Sequence, residues 1–282
     1  MNLTEWIGRT ETVGDVVTAT PYAALSATLD HSTERPVAGT PLPALWHWLY
    51  FLPLHRQSEI GPDGHARRGG FMPPVPLPRR MWAGSQLEFR EPLCVGDALT
   101  RVSTIEGVSE KSGRSGALVF VKVRHEIFRG EARAAPALVE FHDIVYRDAA
   151  RPDDPAPAPQ AAPQPSTWRR TIAPDDVLLF RYSALTFNGH RIHYDRRYVT
   201  EVEGYPGLVV HGPLIATLLL DLLRRERPDA RVTGFSFRAV RPTFDLHPFS
   251  VCGEPSPDGR SVQLWAQDHE GWLTMDATAT LG

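Results

Sequence analysis

The sequence of 282 residues has little of the features that mark several special protein classes. It has only two cysteines, Cys94 and Cys252, and no CxxC pair, so neither a disulfide framework nor a zinc site is expected. Acidic and basic residues nearly balance at a net charge of -3, which argues against nucleic acid or an anionic membrane surface as the main partner. No apolar run approaches the roughly 20 residues of a membrane span, and the first residues lack the apolar segment of a secretory signal. A cytoplasmic protein is therefore expected.

The composition is otherwise that of an ordinary globular protein, with 42% hydrophobic and 22% charged residues. One segment is different: residues 147–166 contain six prolines and no aromatic or large aliphatic side chain. Such a segment cannot bury a core and is typical of an extended linker. The sequence therefore predicts an N-terminal domain at 1–147, a linker at 148–166 and a C-terminal domain at 167–282.

The first half contains one long apolar run and two β-rich runs. Residues 41–52, which begin at Pro41, predict a buried helix. Residues 117–128 and 137–146 predict strands, because β-branched and aromatic residues alternate with polar ones. The Ser- and Gly-rich stretch 109–116 predicts a hairpin turn before the first of them.

The second half repeats this order. Residues 212–225 predict a helix with Pro213 in its first turn and two arginines at its end, and its apolar centre is expected to be wrapped by other structure. Strands are predicted at 231–240, 249–254, 261–268 and 272–279. Each half thus has a buried helix followed by an antiparallel meander. This α+β pattern suits a double hot-dog, in which two sheets, each wrapped around an apolar helix, join edge to edge.

Candidate chemistry is concentrated in residues 180–195. Asn188, His190 and His193 lie within six residues, beside Gly189, which permits a close backbone approach. A histidine with a pKa near neutrality can take a proton from water and return one to carbon. The alternative is a loop whose polar side chains satisfy their own backbone.

The same segment resembles the signature of the MaoC-like, R-specific enoyl-CoA hydratase family. Tyr182, Leu185 and Thr186 match its aromatic, aliphatic and small positions, and Ile192 and His193 match its end. Downstream, residues 209–214 resemble the family's aliphatic-His-Gly start of the hot-dog helix. Two motifs in the right order, followed by the right helix, are more specific than either alone.

The sequence departs from the signature at Asn188, which stands where the family's catalytic Asp would be, and at Phe187, His190 and Arg191. These departures are similar to one branch of the family, which includes 3-hydroxyacyl-thioester dehydratases and the mesaconyl-CoA and itaconyl-CoA hydratases. Residues 46–53, 68–74 and 78–84 resemble the N-terminal half of that branch. The resemblance implies reversible hydration of an enoyl-CoA, with a short branched dicarboxylyl-CoA as a candidate substrate.

The resemblance implies roles for the motif residues. His193 is the expected acid/base group, and the side-chain amide of Asn188 is expected to orient the water or the thioester carbonyl. His190 either assists His193 or forms a local hydrogen bond. The sequence leaves open whether Asp195 restores the lost carboxylate.

Further residues are expected to bind the substrate. Backbone N–H groups at Gly212 can stabilise charge on the thioester oxygen, since a helix N-terminus favours an anion. His211 and Tyr182 are expected beside them. Arginines are expected to bind the CoA phosphates, and the candidates are Arg238, Arg241, Arg191, Arg79 and Arg80.

The first half lacks a second copy of the motif and is expected to be non-catalytic, shaping the acyl pocket through Trp46, Trp48 and Trp82 or using them as core residues. Neither a metal nor a cofactor is expected beyond the CoA of the substrate. Exposed sheet edges favour a homodimer. Two other functions fit a hot-dog fold: thioester hydrolysis, and non-catalytic acyl-CoA binding, which the lost Asp favours.

Overall fold

The computed structural model describes residues 2–31, 34–113, 116–131, 135–148 and 158–282. Within these residues, ten strands form one antiparallel sheet, accompanied by four α-helices. The strands are β1 Thr10–Val16, β2 Arg79–Phe89, β3 Ala98–Gly113, β4 Gly116–Arg129, β5 Leu138–Arg147, β6 Trp168–Ile172, β7 Val232–Ala239, β8 Phe249–Pro255, β9 Ser261–Gln267 and β10 Leu273–Leu281. The helices are α1 Ala19–Thr28, α2 Asp176–Leu185, α3 Arg196–Glu201 and α4 Gly212–Glu226.

The strand order shows two copies of one pattern. It runs β1-β3-β4-β5-β2-β7-β10-β9-β8-β6, so the second half repeats the first in the opposite direction. The halves join where β2 pairs with β7, from Gly84 opposite Arg238 to Glu88 opposite Gly234. The predicted α+β class and the single continuous sheet are confirmed.

Helix α4 is the central helix of the second half, as predicted. Residues 214–223 are all buried, and the helix packs against β6, β8, β9 and β10. Burying each leucine contributes roughly 1.5–3 kcal/mol relative to leaving it exposed. The helix starts at Gly212, which places its N-terminus directly after the second motif.

Strand predictions in both halves are confirmed within one or two residues, for β4, β5 and β7 to β10. On β4, Val119, Val121, Val123 and Ile127 form the buried face. The predicted turn at 109–116 was too long, because β3 continues to Gly113 and pairs with β4 along this stretch. Residues 114–115 lie outside the described residues.

The predicted first-half helix at 41–52 is wrong. The segment is buried as expected, but it forms only a short 3₁₀ turn at Trp46–Leu49. Leu45 and Phe51 have φ values of 71° and 55°, in the left-handed region that no right-handed helix contains. Its aromatic side chains also favour a helix less than leucine does. The first-half helix is instead α1, which packs against α2.

One apolar cluster extends through both halves, with Leu25, Leu87 and Leu138 from the first and Leu219 and Phe249 from the second. Of the predicted linker, residues 149–157 lie outside the described residues. Its last part lies against the second half: Gln160 O accepts from Leu273 N at 2.8 Å, and Ala161 bridges Trp272. The division into two domains stays a prediction.

In the described part of the chain, no helix has the length and apolar character needed to cross a membrane. Cys94 and Cys252 are free, as expected from their number and spacing.

Candidate active site

The end of helix α2 forms the turn that holds the motif. Thr186 Oγ1 donates to Tyr182 O at 2.8 Å, and Asn188 N donates to Ser183 O at 2.8 Å. Between them Phe187 has a φ of 48°, which reverses the chain. The turn therefore directs residues 188–193 back over the helix end.

His193 is buried and has one ring nitrogen fixed. Its Nδ1 lies 2.7 Å from Val209 O, and because a carbonyl only accepts, Nδ1 must carry the proton. Neutral His193 therefore has an unprotonated Nε2. Burial lowers the pKa of His193 to about 4, although the bond to Val209 opposes this effect. The imidazole is thus neutral at pH 7, and its Nε2 can accept a hydrogen bond.

His211 connects His193 to the start of α4. Its ring stacks on that of His193, with centroids 3.7 Å apart and an angle of 18°. Its Nε2 is hydrogen-bonded to Ser183 Oγ at 2.8 Å, while its Nδ1 has no hydrogen-bond partner among the described residues. Tyr182 packs edge-on against His211, with centroids 5.1 Å apart, so Tyr182 supports the site from the core.

The N-terminus of α4 fits the predicted oxyanion site. His211 is its N-cap residue, and within the described residues no side chain caps the backbone N–H groups that follow. Pro213 has no N–H, which leaves those of Gly212 and Leu214 as donors. The positive end of the helix therefore lies beside the stacked His193 and His211 rings.

Asn188 and His190 are both half-buried. Asn188 Oδ1 accepts from His190 N at 3.0 Å, whereas its amide nitrogen has no hydrogen-bond partner among the described residues. The ring of His190 lies 5.4 Å from that of His193. Burial, followed by the proximity of His65 and His193, lowers the pKa of His190 to about 2.

Arg191 binds protein groups. Its Nη2 and Nε contact Asp195 Oδ2 at 2.7 and 3.0 Å, and its Nη1 donates to Pro62 O at 3.0 Å. Asp195 Oδ1 accepts from Tyr198 N at 2.9 Å and so caps α3. The Asp195 carboxylate is therefore engaged outside the histidine cluster.

A loop of the first half, residues 61–66, docks on the motif. Asp63 O accepts from Arg191 N at 2.9 Å. Gly64 has a φ of +90°, and a Cβ on it would lie 1.8 Å from Gly189 O. Both glycines are thus needed for this close approach, which agrees with the expectation for Gly189.

The docked loop brings an acid and a histidine to the cluster. His65 Nδ1 donates to Asp63 Oδ2 at 2.9 Å, and the His65 ring lies 4.0 Å from that of His190. Sequence reasoning missed both residues. The available signal was an acid and a histidine in the glycine-flanked run 61–65, but nothing in the sequence pairs that run with residues 188–193.

Among the described residues, Asp63, His65 and His190 also form a candidate metal cluster, with donor atoms within 4.8 Å of one another. Asp63 already binds His65 through its side chain. Arg80 lies close enough to contribute to lowering the pKa of both histidines, and its positive charge disfavours a cation.

The other predicted residues lie elsewhere. Arg238 is exposed on the sheet face opposite that of its buried neighbours Phe235 and Phe237, 4.0 Å from Asp276. Arg79 donates to Glu203 O at 2.7 Å. The predicted pocket tryptophans pack inside the protein: Trp46 is buried, and Trp48 lies 5.0 Å from Trp82, ring to ring.

Comparison with known proteins agrees with the motif. The model of the family described as hydroxyacyl-thioester dehydratase type 2 matches residues 45–245. A mesaconyl-C(4)-CoA hydratase of Chloroflexus aurantiacus is 48% identical over 280 residues, which cover 98% of this chain and 97% of that protein. A mitochondrial hydroxyacyl-thioester dehydratase type 2 of Schizosaccharomyces pombe is 27% identical, covering 84% of this chain and 88% of that protein.

Solved structures support the fold. A MaoC-like dehydratase from Phytophthora capsici has a TM-score of 0.70 at 14% identity, with 100% of this chain and 98% of that chain covered. A Mycobacterium tuberculosis protein described as having a double hot-dog fold has a TM-score of 0.56 at 14% identity, with 98% and 96% covered. The double hot-dog prediction is confirmed.

Proposed function

This chain belongs to the hydroxyacyl-thioester dehydratase type 2 family, and we propose that it adds water reversibly to the double bond of an α,β-unsaturated acyl-CoA at the histidine cluster. It is a hydro-lyase that acts on acyl thioesters. The geometry of His193 is the observation that supports hydration at this site. Its Nδ1 donates to Val209 O, and its Nε2 can accept a hydrogen bond from water.

In the proposed reaction His193 holds the attacking water through Nε2 and accepts its proton there, which makes His193 an acid/base residue. The water oxygen bonds to the β-carbon, and the electrons of the double bond move toward the thioester oxygen. The N–H groups of Gly212 and Leu214 stabilise the resulting negative charge. A proton then reaches the α-carbon, and the reverse path dehydrates a 3-hydroxyacyl thioester. Addition of water involves no net oxidation or reduction, and the groups named above carry each step, so the proposal includes no metal or redox cofactor.

A hydration assay tests this function. The protein is incubated with crotonyl-CoA, mesaconyl-CoA and itaconyl-CoA, and the enoyl absorbance and free CoA are followed together. Loss of absorbance without free CoA is expected. Free CoA without hydration would instead mean a thioesterase, and tight binding of all three without turnover would mean a binding protein.

For the substrate we propose a short dicarboxylyl-CoA of the mesaconyl type. The support is the 48% identity to the mesaconyl-C(4)-CoA hydratase, together with Arg80. Arg80 is half-buried near His65 and His190, and its guanidinium forms no hydrogen bond or ion pair within the part of the chain that the structure describes. A free carboxylate on the substrate would pair with this guanidinium.

Arg80→Gln is expected to raise KM for mesaconyl-CoA about tenfold or more, because an ion pair to a carboxylate is worth roughly 1.5–3 kcal/mol. The same change should alter KM for crotonyl-CoA, which has no free carboxylate, less than about threefold. Steady-state kinetics with both substrates measures this difference. An equal effect on both would contradict the role of Arg80.

Asn188→Asp tests the proposed amide donor. The carboxylate can still accept from His190 N, so the turn should persist. The substitution would place a negative charge where the Asn188 amide donates. We therefore expect kcat to fall by about 10²-fold, as for the loss of one oxyanion donor. Asn188→Ala should lose a similar amount. Equal or higher activity in Asn188→Asp would show that this position works better as a carboxylate base.

A homodimer and a cytoplasmic location remain predictions. The outer strands β1 and β6 are the two edges of the sheet within the described residues, and either edge can support the predicted self-association.

A further inference from the structure

Residues 188–193, which bear the two histidines of the motif, contain no carboxylate to stabilise a protonated imidazole. Asn188 is uncharged, and the nearest acid in the sequence, Asp195, is engaged with Arg191 and the start of α3. His193 Nδ1 donates to a backbone carbonyl and not to a carboxylate, and burial lowers the pKa of His193 to about 4. A positive charge on His193 alone is therefore costly in this buried site.

The first half supplies a carboxylate–imidazole pair at the same cluster. Asp63 Oδ2 accepts from His65 Nδ1 at 2.9 Å, and Asp63 Oδ1 accepts from His65 N at 3.1 Å. These two bonds fix the pair and keep the proton on Nδ1, so Nε2 of neutral His65 carries no proton and can accept one. The side chains of His65 and Asp63 are 19% and 30% exposed, which leaves the pair partly accessible.

The pair is connected to the motif through His190. The His65 and His190 rings lie 4.0 Å apart, and those of His190 and His193 lie 5.4 Å apart. His65 is also close enough to His193 to contribute to lowering its pKa. The close contact of Gly64 with Gly189 and the bond from Arg191 N to Asp63 O hold the two loops together.

The surroundings of His65 keep it neutral, and Asp63 opposes this effect. Burial, followed by the charge of Arg80, lowers the pKa of His65 more than Asp63 raises it. Burial would raise the pKa of Asp63, but the hydrogen bonds from His65 outweigh it and hold that pKa well below its usual range. Asp63 is thus ionised at neutral pH, and its negative charge stabilises a proton on His65.

We propose that His65 is a second catalytic residue of the hydration and that Asp63 positions it, so that the first half supplies the pair that the motif lacks. The inference rests on the proposed function. The attacking water gives its proton to His193 Nε2 as the oxygen–β-carbon bond forms, and His65 takes this proton over from His193 at its own Nε2. The double-bond electrons move to the thioester oxygen. The proton then passes from His65 to the α-carbon, which restores the carbonyl and neutral His65.

Kinetics of His65→Gln and Asp63→Asn test this role, with the exposed His55→Gln as the matched control. In His65→Gln we expect kcat to fall by about 10²-fold or more, with little change in KM and an unchanged melting temperature, because only the proton acceptor is lost. His55→Gln should behave as the wild type. Partial recovery of His65→Ala by free imidazole would further support proton transfer at this position.

The pH profile separates positioning from a merely structural effect. Loss of the Asp63 charge lowers the pKa of His65, so the acid limb of kcat/KM in Asp63→Asn should move to lower pH, and kcat should fall about tenfold. A lower kcat with an unshifted limb would contradict the positioning role.

The outcomes distinguish the two proposals. If the wild type hydrates an enoyl-CoA and the kcat of His65→Gln is within about threefold of the wild-type kcat, the role of His65 is overturned and the proposed function stays intact. Absence of wild-type hydration of every enoyl-CoA would overturn the proposed function, and the role of His65 with it. Loss of wild-type activity in a chelator, restored by Zn²⁺, would replace proton transfer by a metal site at Asp63, His65 and His190.

Discussion

Replacing His193 by asparagine is expected to lower kcat for hydration by about 10²- to 10⁴-fold, the usual range for the loss of an acid/base residue. Asparagine is the sharper choice, because its amide can still donate to Val209 O in place of the His193 Nδ1–H. Alanine would leave that carbonyl unpaired and create a cavity beside His211, which mixes a loss of stability with the loss of chemistry.

The control for His193→Asn is His269→Ala. His269 is exposed and stacks on His247, away from the motif. His269→Ala should retain the wild-type kcat, and both variants should keep the wild-type circular dichroism spectrum. If His193→Asn kept more than about a tenth of the wild-type kcat, His193 would not be an acid/base residue of this enzyme.

Replacing Asp221 by alanine is expected to lower the free energy of unfolding by about 2–4 kcal/mol, because it removes a buried carboxylate and leaves three partly buried arginines without their partner. The Asp221 side chain is only 1% exposed, and it binds Arg170, Arg224 and Arg225 at 2.8–2.9 Å. It also contacts His31 of the first half. The carboxylate thus joins the end of α4 to β6 and to the segment after α1.

Thermal unfolding measures this effect, and a fall of roughly 10 °C is expected for a chain of this size. The matched control is Arg197→Ala, which breaks the exposed pair with Glu201, whose side chains are 84% and 61% exposed. That change should cost less than about 1 kcal/mol. Equal melting temperatures for Asp221→Ala and the wild type would show that the cluster adds nothing to stability.

The second half could be predicted from the sequence because its signals are local. Helix α4 has a proline at its start, a long apolar centre and arginines at its end, and β8 to β10 follow with clear turn residues. The strands β1, β2, β3 and β6 were not predicted. Their register depends on neighbouring strands, which local alternation does not show.

The wrong helix at 41–52 has the same origin. Its burial followed from composition, but the left-handed positions Leu45 and Phe51 are set by tertiary packing. In the site, the motif allowed His193, Asn188, His190 and the start of α4 to be predicted. Asp63 and His65 could not be predicted, because their contact with the motif joins two loops more than a hundred residues apart. No periodic pattern in a sequence encodes such a contact.

The most direct test of the central claim is mesaconyl-CoA hydration in oxygen-labelled water, followed by mass spectrometry. We predict a new thioester that is one water heavier, keeps its CoA and carries the label on the β-carbon, and we predict that His193→Asn forms it at least about a hundredfold more slowly. Unchanged mesaconyl-CoA, crotonyl-CoA and itaconyl-CoA, or label found only in a released carboxylic acid, would contradict hydration at this site.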